Sequence, residues 1–249
     1  MNITGRSLTR FLLSDTTIST AIQRAGFLTI FVLLFTCTPS LKAQDFQVGI
    51  DFTTTFPQSE FKRNIDGNGY GVGGQFLYGI KKSPFLIGAD LGFVTYGSES
   101  FTESLSPTIP EIRIKVNTTN NIFSSHFVLR AQKREGKVRP YIEGLVGLQH
   151  LFTRTSVSSD FDDEVFAADT NFSDSTFSAG VGGGVQFLLT KGVNKPDILL
   201  DTKVRYLRGA RAEYLKKGSI IRDDGQVFFE PFSSPIHLVN FQVGITFRF

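Results

Sequence analysis

Few residues in this chain invite a chemical reading. His126 follows Ser124 and Ser125, the residue types of a base and a nucleophile, and Ser124 shares a strand face with His126. Arg130 lies on that face too, and no acid stands close by in sequence to orient the imidazole, so nucleophilic catalysis is not expected. His150 and His237 stand apart, and nothing recommends either as a ligand. "GYGVGG" at 69–74 has the spacing of a dinucleotide-binding loop, but its glycines recur on one strand face and no βαβ unit follows. Asp160, Asp162, Asp163, Glu164, Asp169 and Asp174 form an acidic run with no Lys or Arg between 155 and 175. Such carboxylates can hold Ca²⁺, but the spacing is not that of an EF-hand, and a solvated loop is expected. No catalytic residue, cofactor or metal is therefore expected.

The remaining charges become informative through the elements that carry them. Period-2 segments recur along the chain: 46–56, 70–80, 85–93, 121–131, 141–149, 176–189, 198–206 and 241–249. Each reads as a strand with one apolar and one polar face. Phe, Ile, Val and Leu fill one face, while Gly, Gln, Thr and the charges fill the other. Short polar connections, "KKSP", "QKREGKVR" and "KGVNKP", alternate with long ones over roughly 57–68, 97–110, 153–174 and 208–235. Strict alternation of short turns and long loops predicts an all-β fold: an eight-stranded antiparallel up-and-down transmembrane β-barrel, its apolar face toward lipid. A soluble sandwich or lipocalin-like barrel would put the Phe face inward. The Gly-rich polar face suits a cramped, hydrated lumen better. Alternation then sends Asp51, Asp90, Glu143 and Asp201 inward with Arg130, Lys203, Arg205 and Arg248. Eight strands leave room for side chains only, so a salt-bridged plug is expected, with a narrow ion path as the alternative.

Composition agrees. Gly 24 and Phe 26 are high in the 249 residues, and Trp is absent. A basic start and the apolar run Ala25 to Cys37, followed by Pro39 and "LKA", read as a signal peptide over 1–43, leaving a barrel domain over 44–249. Without 1–43 the chain holds 22 Lys and Arg against 22 Asp and Glu, which argues against nucleic-acid binding. The lone Cys37 falls in the signal, so no disulfide framework is expected.

The chain over 44–249 resembles the small eight-stranded outer-membrane barrels of Gram-negative bacteria, the outer-membrane-protein-A-like and porin family barrel domains. The most specific element is the ending "FQVGITFRF", with Val243, Ile245 and Phe247 before a terminal Phe249. "VRPYIEG" at 138–144 and "VRYLRGARAEYL" at 204–215 also look like recurrent strand segments of such proteins. The resemblance implies that the C-terminal residues are an insertion signal read by the barrel-assembly machinery. It also implies a monomer in the outer membrane, in contact with its lipids and lipopolysaccharide. The role expected is structural or interactive, through long extracellular loops. The alternative is a narrow passive, porin-like channel, and the third class a lipid A-modifying barrel enzyme.

Overall fold

The computed structural model describes residues 45–249 apart from 66, 82, 107–108, 160–164, 194, 217–218 and 224–225. The expected signal peptide lies outside the described residues, as do four acids of the acidic run. The elements in chain order are β1 (Phe46–Gln58), α1 (Ser59–Asn64), β2 (Gly69–Gly79), β3 (Phe85–Ser106), β4 (Ile109–Gln132), β5 (Val138–Ser159), β6 (Val165–Thr190), β7 (Asp197–Tyr214), β8 (Ile220–Asp223), β9 (Gln226–Phe229) and β10 (Phe232–Arg248). Eight of these strands close a barrel in the order β1-β10-β7-β6-β5-β4-β3-β2, while β8 and β9 form a separate hairpin. Every barrel pair is antiparallel. This is the eight-stranded up-and-down fold that the alternation predicts.

The register explains why one face is apolar throughout. Val243, Phe52, Val72, Phe93 and Phe123 are successive partners across β10, β1, β2, β3 and β4. Because period 2 keeps each on the same side, one row of partners makes one stretch of belt. These side chains point out of the barrel and stay exposed, from 37% at Val243 to 62% at Val72. An outward belt of bare Phe, Ile, Leu and Val around a polar interior is the inverse of a soluble barrel, and it marks the barrel as transmembrane.

Inward glycines let the sheet curl tightly. At Gly71 and Gly88 a Cβ would stand 1.9 Å from the carbonyl oxygens of Phe93 and Phe76 on the neighbouring strands. No residue with a side chain fits where strands approach so closely.

The long connections differ from expectation. Residues 97–106 and 109–120 continue the β3–β4 ladder, with a register shift at Gly97, and 153–159 and 165–174 continue the β5–β6 ladder. Segment 208–235 holds the end of β7, the β8–β9 hairpin and the start of β10. Segment 57–68 contains α1, a helix of 6 residues. Ser59 enters it at φ 55°, in the left-handed region, which turns the chain back over the barrel mouth. Phe61 is thereby fully buried, with its ring edge-on to Tyr96 (5.5 Å between centroids) and Tyr214 (4.9 Å). Ile122, Leu151, Leu207, Ile236 and Leu238 belong to the same apolar cluster. Asn64 Nδ2 donates to the Tyr214 hydroxyl at 2.9 Å and ties α1 to β7.

Candidate functional site: the luminal charge network

Seven of the eight residues expected inside are buried in the lumen: Asp51, Asp90, Arg130, Glu143, Asp201, Lys203 and Arg205. Glu143 is central. Its Oε2 accepts from Arg130 Nε at 2.9 Å and Nη2 at 2.6 Å, and its Oε1 accepts from Arg205 Nε at 2.6 Å. The Arg205 Nη1 lies 2.8 Å from Asp90. Lys203 Nζ donates to Asp51 at 2.9 Å, and Gln242 and Thr53 donate to the other oxygen of the same carboxylate. Asp201 accepts from the Tyr141 hydroxyl at 2.6 Å and from the amides of Gln75 and Gln186, each at 3.1 Å. Arg130 reaches Gln75 at 2.7 Å, and its guanidinium lies 3.8 Å from the Tyr141 ring centroid. Buried ions persist only where partners replace water, and each charge here has such a partner.

Glycine sets the geometry of the network as much as charge does. Glu143 and Arg205 sit on β5 and β7 with β6 between them, and the β6 residue in their row is Gly182. A Cβ at Gly182 would stand 2.8 Å from Arg205 Cγ. In the next row Gly184 lies between Tyr141 and Lys203, and a Cβ there would stand 2.6 Å from the Tyr141 hydroxyl. Absent side chains on β6 therefore make the space that long side chains from β5 and β7 fill. The same device joins His126 to Ser178. Gly147 of β5 separates them in register, and His126 Nε2 comes within 2.6 Å of Ser178 Oγ. Asp90 is the cross-strand partner of His126 on β3. His126 thus bonds a serine, but Ser178 and not Ser124, while Asp90 stands beside it in register and pairs with Arg205. The His126 residue is 2% exposed and Ser178 is fully buried, so the pair is closed off from solvent.

Arg248 departs from expectation. It sits at the turn end of the barrel, its side chain 21% exposed, and donates to both oxygens of Asp45 and to the Arg134 carbonyl. Arg134 pairs with the same Asp45. The terminal position of Arg248 on β10 explains the difference, since the lumen has already opened there. Of the eight expected residues, four acids and three bases are buried, and Arg139, 4% exposed and paired with Asp197, is a further buried base.

Alternation also identifies participants that a count of charges alone overlooks. Gln75, Tyr141, Gln186 and Gln242 occupy inward positions between apolar or glycine neighbours, and all four are buried hydrogen-bonding members of the network. His150 bonds Ser175 at 2.8 Å near the rim, and His237 lies beside Tyr206. Of the acidic run, Asp169 and Asp174 are described; the two bond backbone amides of their own or a facing segment.

The C-terminal residues face outward along the closing seam. Val243 pairs with Phe52, Ile245 with Ile50 and Phe247 with Val48 across β10 and β1. Phe249 stacks on Phe46 at 4.5 Å, and its amide donates to the Phe46 carbonyl at 3.0 Å. The last ring thus covers the first residue of β1 where the barrel closes.

No protein-family model matches the chain, and no curated protein sequence matches it. Similar solved structures include Neisserial surface protein A at 15% identity and a TM-score of 0.44, covering 82% of this chain and 97% of that one. The attachment invasion locus protein of Yersinia pestis is similar at 16% identity and a TM-score of 0.38, covering 83% and 97%. The N-terminal β-barrel domain of Pseudomonas aeruginosa OprF is similar at 13% identity and a TM-score of 0.32, covering 82% and 97%.

Proposed function

We propose that this chain is a monomeric, non-enzymatic protein of a bacterial outer membrane, and that it meets its partners through a sheet standing above the bilayer. One observation carries the reading. Strands β3 to β6 run for 22, 24, 22 and 26 residues, whereas β1 and β2 have 13 and 11. A tilted strand needs about 9–11 residues to cross a membrane. The surplus on one side of the barrel remains laddered, up to Ser106↔Ile109, Ile114↔Ser159 and Ser158↔Val165. A polar sheet that keeps its pairing outside the belt is a platform. Among the described residues, the far edge of β3 from Gly97 to Ser106 pairs with no other strand, since β2 ends its ladder at Tyr70↔Thr95. Such an edge offers unpaired backbone donors and acceptors to an extended segment of a partner.

The charge network supports a closed barrel over the channel alternative, because the side chains of Arg130 and Glu143 are 0% exposed. The sealed position of His126 and Ser178 supports a non-enzymatic role. Exposed Arg208 and Arg211, above the belt on β7, suit phosphate groups of lipopolysaccharide. The outward face of Val243, Ile245 and Phe247, ending on Phe249, suits recognition by the barrel-assembly machinery during insertion.

The test compares the refolded protein in lipid nanodiscs with a variant in which 98–119 is replaced by a short turn. Extended peptides displayed on phage should be enriched on the intact protein and lost on the variant. Equal enrichment on both contradicts the reading. Open, sustained single-channel currents from the intact protein would favour the channel instead.

A further inference from the structure

The turn end of the barrel carries a charge pattern that neither the plug nor the platform uses. Lys81 lies in the β2–β3 turn, Lys133 and Lys137 in the β4–β5 turn, and Lys191 and Lys195 in the β6–β7 turn. All five are exposed, and among the described residues none has an acidic partner. The acids of this end are taken or few. Asp45 is bound by Arg134 and Arg248, and Asp197 by Arg139 at 3.2 Å, which leaves only Glu135. Three consecutive turns thus project unneutralised ammonium groups at one level. The equal acids and bases of residues 44–249 thus conceal a basic turn end.

The surroundings say what these cations meet. Apolar side chains stand bare beside them: Ile80 at 40%, Val138 at 48%, Leu189 at 57% and Val193 at 84% exposure. A lysine next to an exposed aliphatic group in water gains nothing from it. At a membrane interface, the aliphatic group enters the acyl boundary and the lysine stem follows, its ammonium left among the headgroups. Anionic lipid attracts such groups, by about fivefold per basic residue at low salt.

We infer that the three turns form a binding rim for anionic phospholipid headgroups of the leaflet at that end. The inference rests on the membrane reading of the barrel but not on the platform. It assigns the lysines a lipid phosphate as partner, with the neighbouring aliphatic residues holding each turn at the depth where that phosphate lies.

The experiment uses the full barrel refolded into phosphatidylcholine bilayers with small amounts of spin-labelled phosphatidylcholine or phosphatidylglycerol. Electron paramagnetic resonance gives the fraction of each label held against the protein. Wild type should favour phosphatidylglycerol several-fold at low salt, and the preference should collapse in 1 M salt, where the Debye length is about 3 Å. A variant carrying Lys133→Gln, Lys137→Gln, Lys191→Gln and Lys195→Gln should insert equally well, resist detergent unfolding equally well, and lose most of the preference. Wild type without a preference, or a variant that keeps it, overturns the inference. Loss of binding to isolated cell-wall polymer in the variant, with lipid preference unchanged, overturns it in favour of a polymer partner. Failure of either label to be restricted would instead mean that the barrel does not meet lipid, which is a failure of the membrane reading.

Discussion

Asp51 and Phe52 are consecutive residues of β1 that live in different media. Asp51 is 8% exposed and bonded to Lys203, Gln242 and Thr53. Phe52 is 55% exposed, and its ring centroid lies 6.4 Å from that of Tyr70 in the outer belt. In a soluble protein the carboxylate would face solvent and the ring the core. Here the alternation assigns each side chain to a medium, with lipid outside and a filled polar lumen inside. The two faces also tolerate change for different reasons. The inner face depends on partners and space, the outer only on being apolar at its depth.

The inner face is most connected at Glu143. Glu143→Gln removes the carboxylate that joins Arg130 and Arg205. Leaving a buried ion underpaired costs about 3–5 kcal/mol. Urea unfolding from vesicles should show a loss of that size, and no change would mean that the plug is hydrated and its pairs are weak.

The outer face should yield next. Val181 is 65% exposed on β6, and Lys at the bilayer midplane costs about 2–4 kcal/mol. Val181→Lys should therefore destabilise the refolded barrel, whereas Val193→Lys in the turn should cost about 0–1 kcal/mol. Equal losses at the two sites would remove the dependence on depth that lipid imposes.

A smaller effect separates space from charge on the inner face. Gly184→Val places methyl groups against the Tyr141 ring and the Thr202 carbonyl without altering any ion pair. Overpacking of this kind costs about 1–3 kcal/mol. A Gly184→Val protein as stable as wild type would show that the plug can shift, and that β6 glycine is not what makes room for it.

Much of this was legible in the residues, and the limits have physical causes. Strand number, order and facing follow from period 2 because lipid on one side and a crowded lumen on the other impose opposite chemistry on neighbouring residues. Beyond the belt the inner side still buries Val116, Thr118 and Ser158 while the outer side no longer meets lipid, so the alternation fades into Ser, Thr, Asn and Glu and the ladder extensions read as loops. The helix α1 is too short to show a helical period, and Phe61 looks like one more strand aromatic. The inward facing of Glu143, Arg130 and Arg205 was readable, but the contact of His126 with Ser178 was not. It joins residues 52 apart through the gap left by Gly147, and only the register reveals that gap. Alternation gives the face of Arg248 but not its depth, because Asp45, its partner, precedes the first strand.

In a transmembrane barrel the outward belt meets lipid, and the absence of Trp from the sequence makes that contact directly measurable. Phe127 is 54% exposed in the belt on β4, so Phe127→Trp adds a single reporter with little change in shape or polarity. In vesicles of lipids brominated along the acyl chain, this Trp should be strongly quenched and acrylamide added to the water should have little effect. Quenching by acrylamide with none by the brominated lipids would contradict lipid contact, and would turn the barrel's apolar face away from the membrane.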